Sequence, residues 1–142
     1  MELNCLKKKG FTLIELLAVI VILAIIAVIA TPIITGIIED SKKSAAADSA
    51  YGALDAVKSY YTSTLLEDST TTLPITVDFG NGAASGEVQG SNIKMSGTKP
   101  TAGKVTLNAD GTYTITPASG KEGLTVNGYD CKYADQKFTC SK

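Results

Sequence analysis

The sequence predicts an α+β chain: one long N-terminal helix, membrane-spanning in its first half and amphipathic in its second, packed against a small antiparallel β-sheet head. Three observations predict it. Residues 11–30 read FTLIELLAVIVILAIIAVIA, twenty residues in which Glu15 is the one charge. After residue 39 apolar side chains recur at three- and four-residue steps, the period of an amphipathic helix. From residue 74 the period falls to two, and Ala109-Asp110-Gly111 and Asn127-Gly128 supply the turn chemistry of hairpins.

The apolar segment comes first. At 1.5 Å rise per residue, twenty helical residues cover about 30 Å, the thickness of a bilayer's hydrocarbon core. A core helix of a soluble domain carries a polar residue every third or fourth position; residues 16–30 carry none. Lys7, Lys8 and Lys9 stand just ahead, and the positive-inside rule places them in the cytoplasm. Cys5 then shares the reducing side, whereas Cys131 and Cys140 lie on the exported side as a candidate disulfide. A basic stretch followed by an apolar run also describes a secretory signal. Here the run is longer than a usual signal core and passes through Thr31-Pro32 into more isoleucine, without a small-x-small site and a polar break. Glu15 argues the same way. A carboxylate held in lipid is costly unless it finds a partner.

The stretch Lys7-Lys8-Lys9-Gly10-Phe11-Thr12-Leu13-Ile14-Glu15 resembles the leader junction of type IV prepilins, shared by type IV pilins and the pseudopilins of type II secretion and DNA-uptake systems. The resemblance covers roughly residues 7–60. It implies cleavage between Gly10 and Phe11 by a membrane-embedded prepilin peptidase, N-methylation of Phe11, and removal of residues 1–10 as a leader. It also implies that Glu15 pairs with the Phe11 amine of a neighbouring subunit, and that Pro32 matches the helix proline of that family. The physics fits each role. The lysines hold the junction at the membrane face. Gly10, lacking a side chain, enters a protease cleft in an extended or strained form. A buried amine–carboxylate pair specifies register more than it stabilises, because leaving either partner alone is costly. The competing reading of Glu15 is a carboxylate that snorkels to the interface, one turn into the helix.

Four segments follow: the leader at 1–10, a transmembrane and filament-core helix at 11–38, an amphipathic helix at 39–66, and a globular β-sheet head at 67–142. Pro32 removes one helical hydrogen bond and invites a kink, and Gly36 weakens the helix again. In the amphipathic part Ala50, Ala53, Leu54, Val57, Tyr60, Tyr61 and Leu65 form the apolar stripe, and the helix ends near Leu65 or Leu66. Residues 74–79 alternate as a strand, and residues 80–86 make a loop. A three-residue turn with Gly111 left-handed opposes Leu107 to Tyr113 and Val105 to Ile115. Asn127-Gly128 opposes Val126 to Tyr129 and Leu124 to Cys131. A last turn at residues 134–137 opposes Tyr133 to Phe138 and sets Cys131 against Cys140, within bonding range.

Little else carries chemistry. Histidine is absent, which removes the commonest general base and zinc ligand. No nucleophile–base pair, phosphate loop or metal-ligand cluster is legible; we expect no catalytic activity, cofactor or metal. Charge nearly cancels, 13 basic residues against 14 acidic, so nucleic acid is an unsupported partner and the lysines of the head read as a solvated face. The expected partners are further copies of the chain in a helical filament, prepilin peptidase, the pilus assembly machinery, and the cytoplasmic membrane before assembly. The expected role is a pilin of a surface filament serving adhesion, motility or DNA uptake. Two alternatives stand beside it: a pseudopilin of a secretion or competence system, and a membrane-tethered binding module that does not polymerise.

Overall fold

The computed structural model describes residues 10–80 and 82–142. The lysines of the leader, Lys7, Lys8 and Lys9, lie outside the described residues, as does Cys5. Contacts divide the chain between Glu39 and Asp40 into two units.

Helix α1 covers Leu13–Glu67, beginning one residue after Thr12 and ending within two residues of the end expected. Its apolar side chains in the first unit are exposed. Leu16 is 59% exposed, Ile25 58% and Ile37 61%, values that assign these side chains to a surrounding outside this polypeptide. An 18-residue window of the helix reaches a mean hydropathy of 3.2, so the helix is long and apolar enough to cross a membrane. Pro32 lies inside the helix and the helix continues past it and Gly36. Hydroxyls on either side engage the carbonyls of this stretch: Thr31 Oγ1 donates to the Ala27 carbonyl at 2.7 Å, and Thr35 Oγ1 to the Pro32 carbonyl at 3.0 Å.

In the second unit the helix buries one stripe. Ala46, Ala50, Ala53 and Val57 have no exposed surface, and Leu54 and Ala56 have little. The steps of three and four are those the sequence predicts; Ala46, Ser49 and Ala56 extend the stripe beyond it. Small side chains here let other backbone come close: a Cβ at Gly52 would lie 3.1 Å from the Ser96 carbonyl.

Among the described residues seven strands accompany the helix. β1 (Ile75–Asp78), β2 (Val88–Gln89), β3 (Lys104–Leu107) and β4 (Tyr113–Thr116) form a sheet in the order β2-β1-β3-β4. β5 (Leu124–Val126), β6 (Tyr129–Ala134) and β7 (Lys137–Ser141) form a second sheet. The three predicted hairpin registers all occur: Leu107 opposite Tyr113, Val126 opposite Tyr129, and Cys131 opposite Cys140. Gly111 has φ 82°, and Asn108 accepts from the Gly111 N–H at 3.0 Å, closing the three-residue turn. Asn127 (φ 52°) and Gly128 (φ 78°), then Asp135 (φ 51°) and Gln136 (φ 61°), take the left-handed pairs of two-residue hairpin turns.

The head departs from the single antiparallel sheet expected of it. It holds two sheets, and β2 runs parallel to β1. The sheets are stitched where the Thr101 N–H donates to the Thr125 carbonyl at 2.8 Å and the Thr125 N–H to the Ala102 carbonyl at 3.0 Å. Val77, Val105 and Leu107 of the first sheet and Leu124, Val126, Cys131 and Phe138 of the second join the helix stripe in one buried core, which Ile93 completes. Gly123 and Gly90 are close-approach sites: a side chain at Gly123 would collide with the Cys131 carbonyl, and one at Gly90 would meet the Phe79 ring at 2.7 Å.

Candidate processing and assembly site

Helix α1 begins with a reciprocal cap. The Glu15 backbone N–H donates to Thr12 Oγ1 at 3.3 Å. In return Glu15 Oε2 accepts from the Thr12 N–H at 2.9 Å and from Thr12 Oγ1 at 2.8 Å. The Leu16 N–H donates to the Thr12 carbonyl at 3.3 Å, so Thr12 is the N-cap and Glu15 the third helical residue. This is a capping box, in which two orphan donors of the first turn are satisfied by each other's side chains. The carboxylate also lies where the helix dipole favours negative charge.

Thr12 is the site residue that the sequence reading missed. Its signal was present, since Thr12-Leu13-Ile14-Glu15 has the Thr-x-x-Glu spacing of a capping box ahead of an apolar run. The Glu15 carboxylate is tied back to the residue that follows Phe11.

Gly10 and Phe11 precede the cap and are open. Nothing lies within 4 Å of a Cβ placed on Gly10, and Phe11 is 87% exposed. The helix starts two residues after the Gly10–Phe11 bond, and among the described residues nothing packs on Gly10. Phe11 and Glu15 line one apolar depression together with Leu16, Ala18 and Val19. Pro32 belongs elsewhere: seventeen residues from Glu15, it lies about 25 Å further along the helix.

At the other end of the chain Cys131 and Cys140 are disulfide-bonded, with Cα atoms 4.0 Å apart. Cys131 is fully buried, so the bond ties the last strand to the core beneath the second sheet. Tyr51 reinforces it from the helix, its hydroxyl accepting from the Phe138 N–H at 3.0 Å.

A third polar cluster gathers on the first sheet. Lys104 Nζ stands 2.7 Å from both carboxylate oxygens of Glu87 and 3.6 Å from Asp78 Oδ2. The hydrogen bond from Lys104, helped by the Ala84 N–H, holds the Glu87 carboxyl below its ordinary value. Glu87 in turn raises the Lys104 ammonium. Asp78 is buried and accepts from the Gly80 N–H at 2.7 Å. The cluster fastens the short β2 region to β1 and β3. Among the described residues no group of three or more His, Cys, Asp or Glu is placed to hold a metal.

Residues 5–31 match the family model described as the prokaryotic N-terminal methylation motif. No curated protein and no solved structure matches the chain. The matched span contains the lysines, the Gly10–Phe11 junction, the Thr12–Glu15 cap and the greater part of the apolar helix. Such a leader implies processing by prepilin peptidase and entry into a pilus-like assembly machinery, and with the apolar helix it fits a membrane-anchored precursor. Residues 5–31 thus carry the N-terminal methylation motif, the class III leader of type IV pilins and pseudopilins, and this motif supports a pilin-like or pseudopilin precursor.

Proposed function

We propose that the chain is a structural subunit, a pilin, of a type IV pilus: a membrane-held precursor that is cut between Gly10 and Phe11, methylated on the Phe11 amine, and assembled into an extracellular filament for adhesion, motility or DNA uptake. It is a building block and not an enzyme. The observation that carries the proposal is the placement of Glu15, the one carboxylate of the apolar run, one helical turn after the open junction at Phe11.

The steps follow from charge and solvation. Before cleavage Glu15 is satisfied locally by Thr12. Cleavage creates a cation at Phe11 with no counterion of its own. When helices are packed side by side and water is excluded, the Phe11 amine of one subunit and the Glu15 carboxylate of the next each lose hydration and recover it in the other. That pairing fixes the axial stagger between subunits. The exposed apolar surface from Leu13 to Ile38 then exchanges lipid for neighbouring helices, and small residues such as Ala18, Ala24 and Ala27 allow close contact. The disulfide and the two sheets keep the head folded outside the cell.

Protein sheared from cells provides the test. Its mass should begin at Phe11 and carry one methyl group. A mature chain that retains residues 1–10, or that starts beyond Ala30, removes the amine or the carboxylate and refutes the mechanism.

A further inference from the structure

We propose that strand β4 is a self-pairing edge, through which two copies of the chain join antiparallel about Thr114 and bundle neighbouring filaments side by side. The inference rests on the filament reading for its setting.

The two sheets end in four edges, and three of them are short, occupied or charged. β2 has two residues. The outer edge of β5 is taken by Thr101 and Ala102. β7 carries Lys137 and runs into Lys142, and lysine is a common guard of exposed edges. β4 reads Tyr113-Thr114-Ile115-Thr116, with no charge, proline or bulge within it, and among the described residues no strand lies beyond it.

The direction of its free groups follows from the ladder. The Asn108 N–H donates to the Thr112 carbonyl at 2.9 Å, which makes Asn108 and Thr112 a hydrogen-bonded pair. Alternation then turns the backbone groups of Thr114 and Thr116 inward to β3, and those of Tyr113 and Ile115 outward. An antiparallel copy centred on Thr114 meets these groups with its own, giving about four new main-chain hydrogen bonds.

The side chains agree with that register. Tyr113 faces Ile115 of the second copy, an aromatic–β-branched pair on the half-buried apolar side. Thr112 faces Thr116, and Thr114 faces its own equivalent. On this side Thr76, Thr106 and Thr114 already form a row across three strands, with Thr76 and Thr106 hydroxyls 2.9 Å apart, and pairing continues the row. No like charges are opposed. The contact is two-fold and closes on itself, so it joins two copies and does not propagate a filament. Alone it is small; repeated along two filaments it gains by avidity.

The test uses sheared filaments of wild type, T114K, T114E and a mixture of the variants, followed by low-speed sedimentation and electron microscopy. Thr114 is exposed and its side chain bonds only to Asn108 at the surface, so both variants should fold, but each sets like-charged side chains directly opposite one another at the centre of the contact, with Cβ atoms about 5 Å apart. Wild-type filaments should sediment as bundles, and either variant should sediment on the order of tenfold less, with the mixture restored to bundles. Wild-type filaments that stay single, or T114K filaments that bundle as wild type does, overturn the proposal and leave the filament reading intact. If no filaments form, that reading fails and the edge is tested on the full chain in detergent, carrying C5S to remove the free thiol. T114C should then give a disulfide-linked dimer on mild oxidation, while S119C, exposed but outside the strand, gives only background. A T114C chain no more cross-linked than S119C overturns self-pairing.

Discussion

The backbone N–H of Phe138 donates to the hydroxyl of Tyr51 across 3.0 Å, and the two rings meet edge to face with centroids 5.0 Å apart. One side chain of the helix thus holds the last strand by both a hydrogen bond and a ring contact. Phe138 is buried, so its N–H has little water to fall back on. Tyr51→Phe keeps the ring and removes the acceptor; the expected loss is about 1–2 kcal/mol. For a head of this size that lowers the unfolding midpoint by roughly 4–8 °C per kcal/mol, measurable by tyrosine circular dichroism of the detergent-solubilised chain. An unchanged midpoint would mean that water replaces the hydroxyl.

The disulfide closes a loop of sequence separation 9 over a fully buried Cys131. On chain entropy a loop so short contributes about 2–3 kcal/mol. Cys131→Ala with Cys140→Ala should lower stability by about that amount, and a reducing agent should lower the wild type equally while leaving the double variant unmoved. A reductant that also shifts the double variant would assign the effect to something other than this bond.

How far the sequence reached is visible in these same strands. The turns were legible because Gly111, Asn127 and Gly128 are residues that tolerate positive φ, and a turn fixes the register of both strands beside it. Cys131 and Cys140 followed from their place on the exported side and from the register of the turn at residues 134–137. The stripe of α1 was legible as a period. What escaped was non-local. β2 has two residues and pairs in parallel with β1 across a glycine-rich segment, so neither alternation nor a hairpin marks it. The division into two sheets depends on where Thr101 and Ala102 meet Thr125, a tertiary fact with no local signal. At the processing site the junction was legible as a motif. The Thr12–Glu15 cap escaped because Glu15 was weighed against lipid and a neighbouring subunit, and not against the helix terminus it occupies.

Lys104 gives the head a defined pH response. Because its ammonium lowers the Glu87 carboxyl, the pair's contribution is complete above the ordinary carboxylate value of 4.5 and fades as pH falls through the lower folded value. Because Glu87 raises Lys104, the same contribution survives at pH below 10.5 and is lost as pH rises through the higher folded value. The gap in unfolding midpoint between wild type and Glu87→Gln should therefore be widest at neutral pH and narrow toward both extremes. A gap independent of pH would show that shape, not charge, holds β2 in place.

Glu15 has two possible duties, capping its own helix and pairing with a neighbour's amine, and three substitutions separate them. Thr12→Ala removes the cap's hydroxyl but leaves the carboxylate; the helix start should weaken by about 1 kcal/mol. Since the amine of a neighbour then meets a carboxylate freed from the Thr12 hydroxyl, filament yield should stay within a few-fold of wild type. Glu15→Gln does the reverse, because glutamine at the third helical position still closes a capping box yet carries no charge. Its helix should start as before, while the Phe11 amine is left uncompensated in the packed core, where losing one partner of a buried pair costs about 3–5 kcal/mol. Sheared filaments should fall below detection in Glu15→Gln and in Glu15→Ala, although both precursors are still cut at Gly10. If Glu15→Gln assembles as well as wild type while Thr12→Ala does not, the carboxylate serves the helix terminus, and the register of the filament must be set elsewhere.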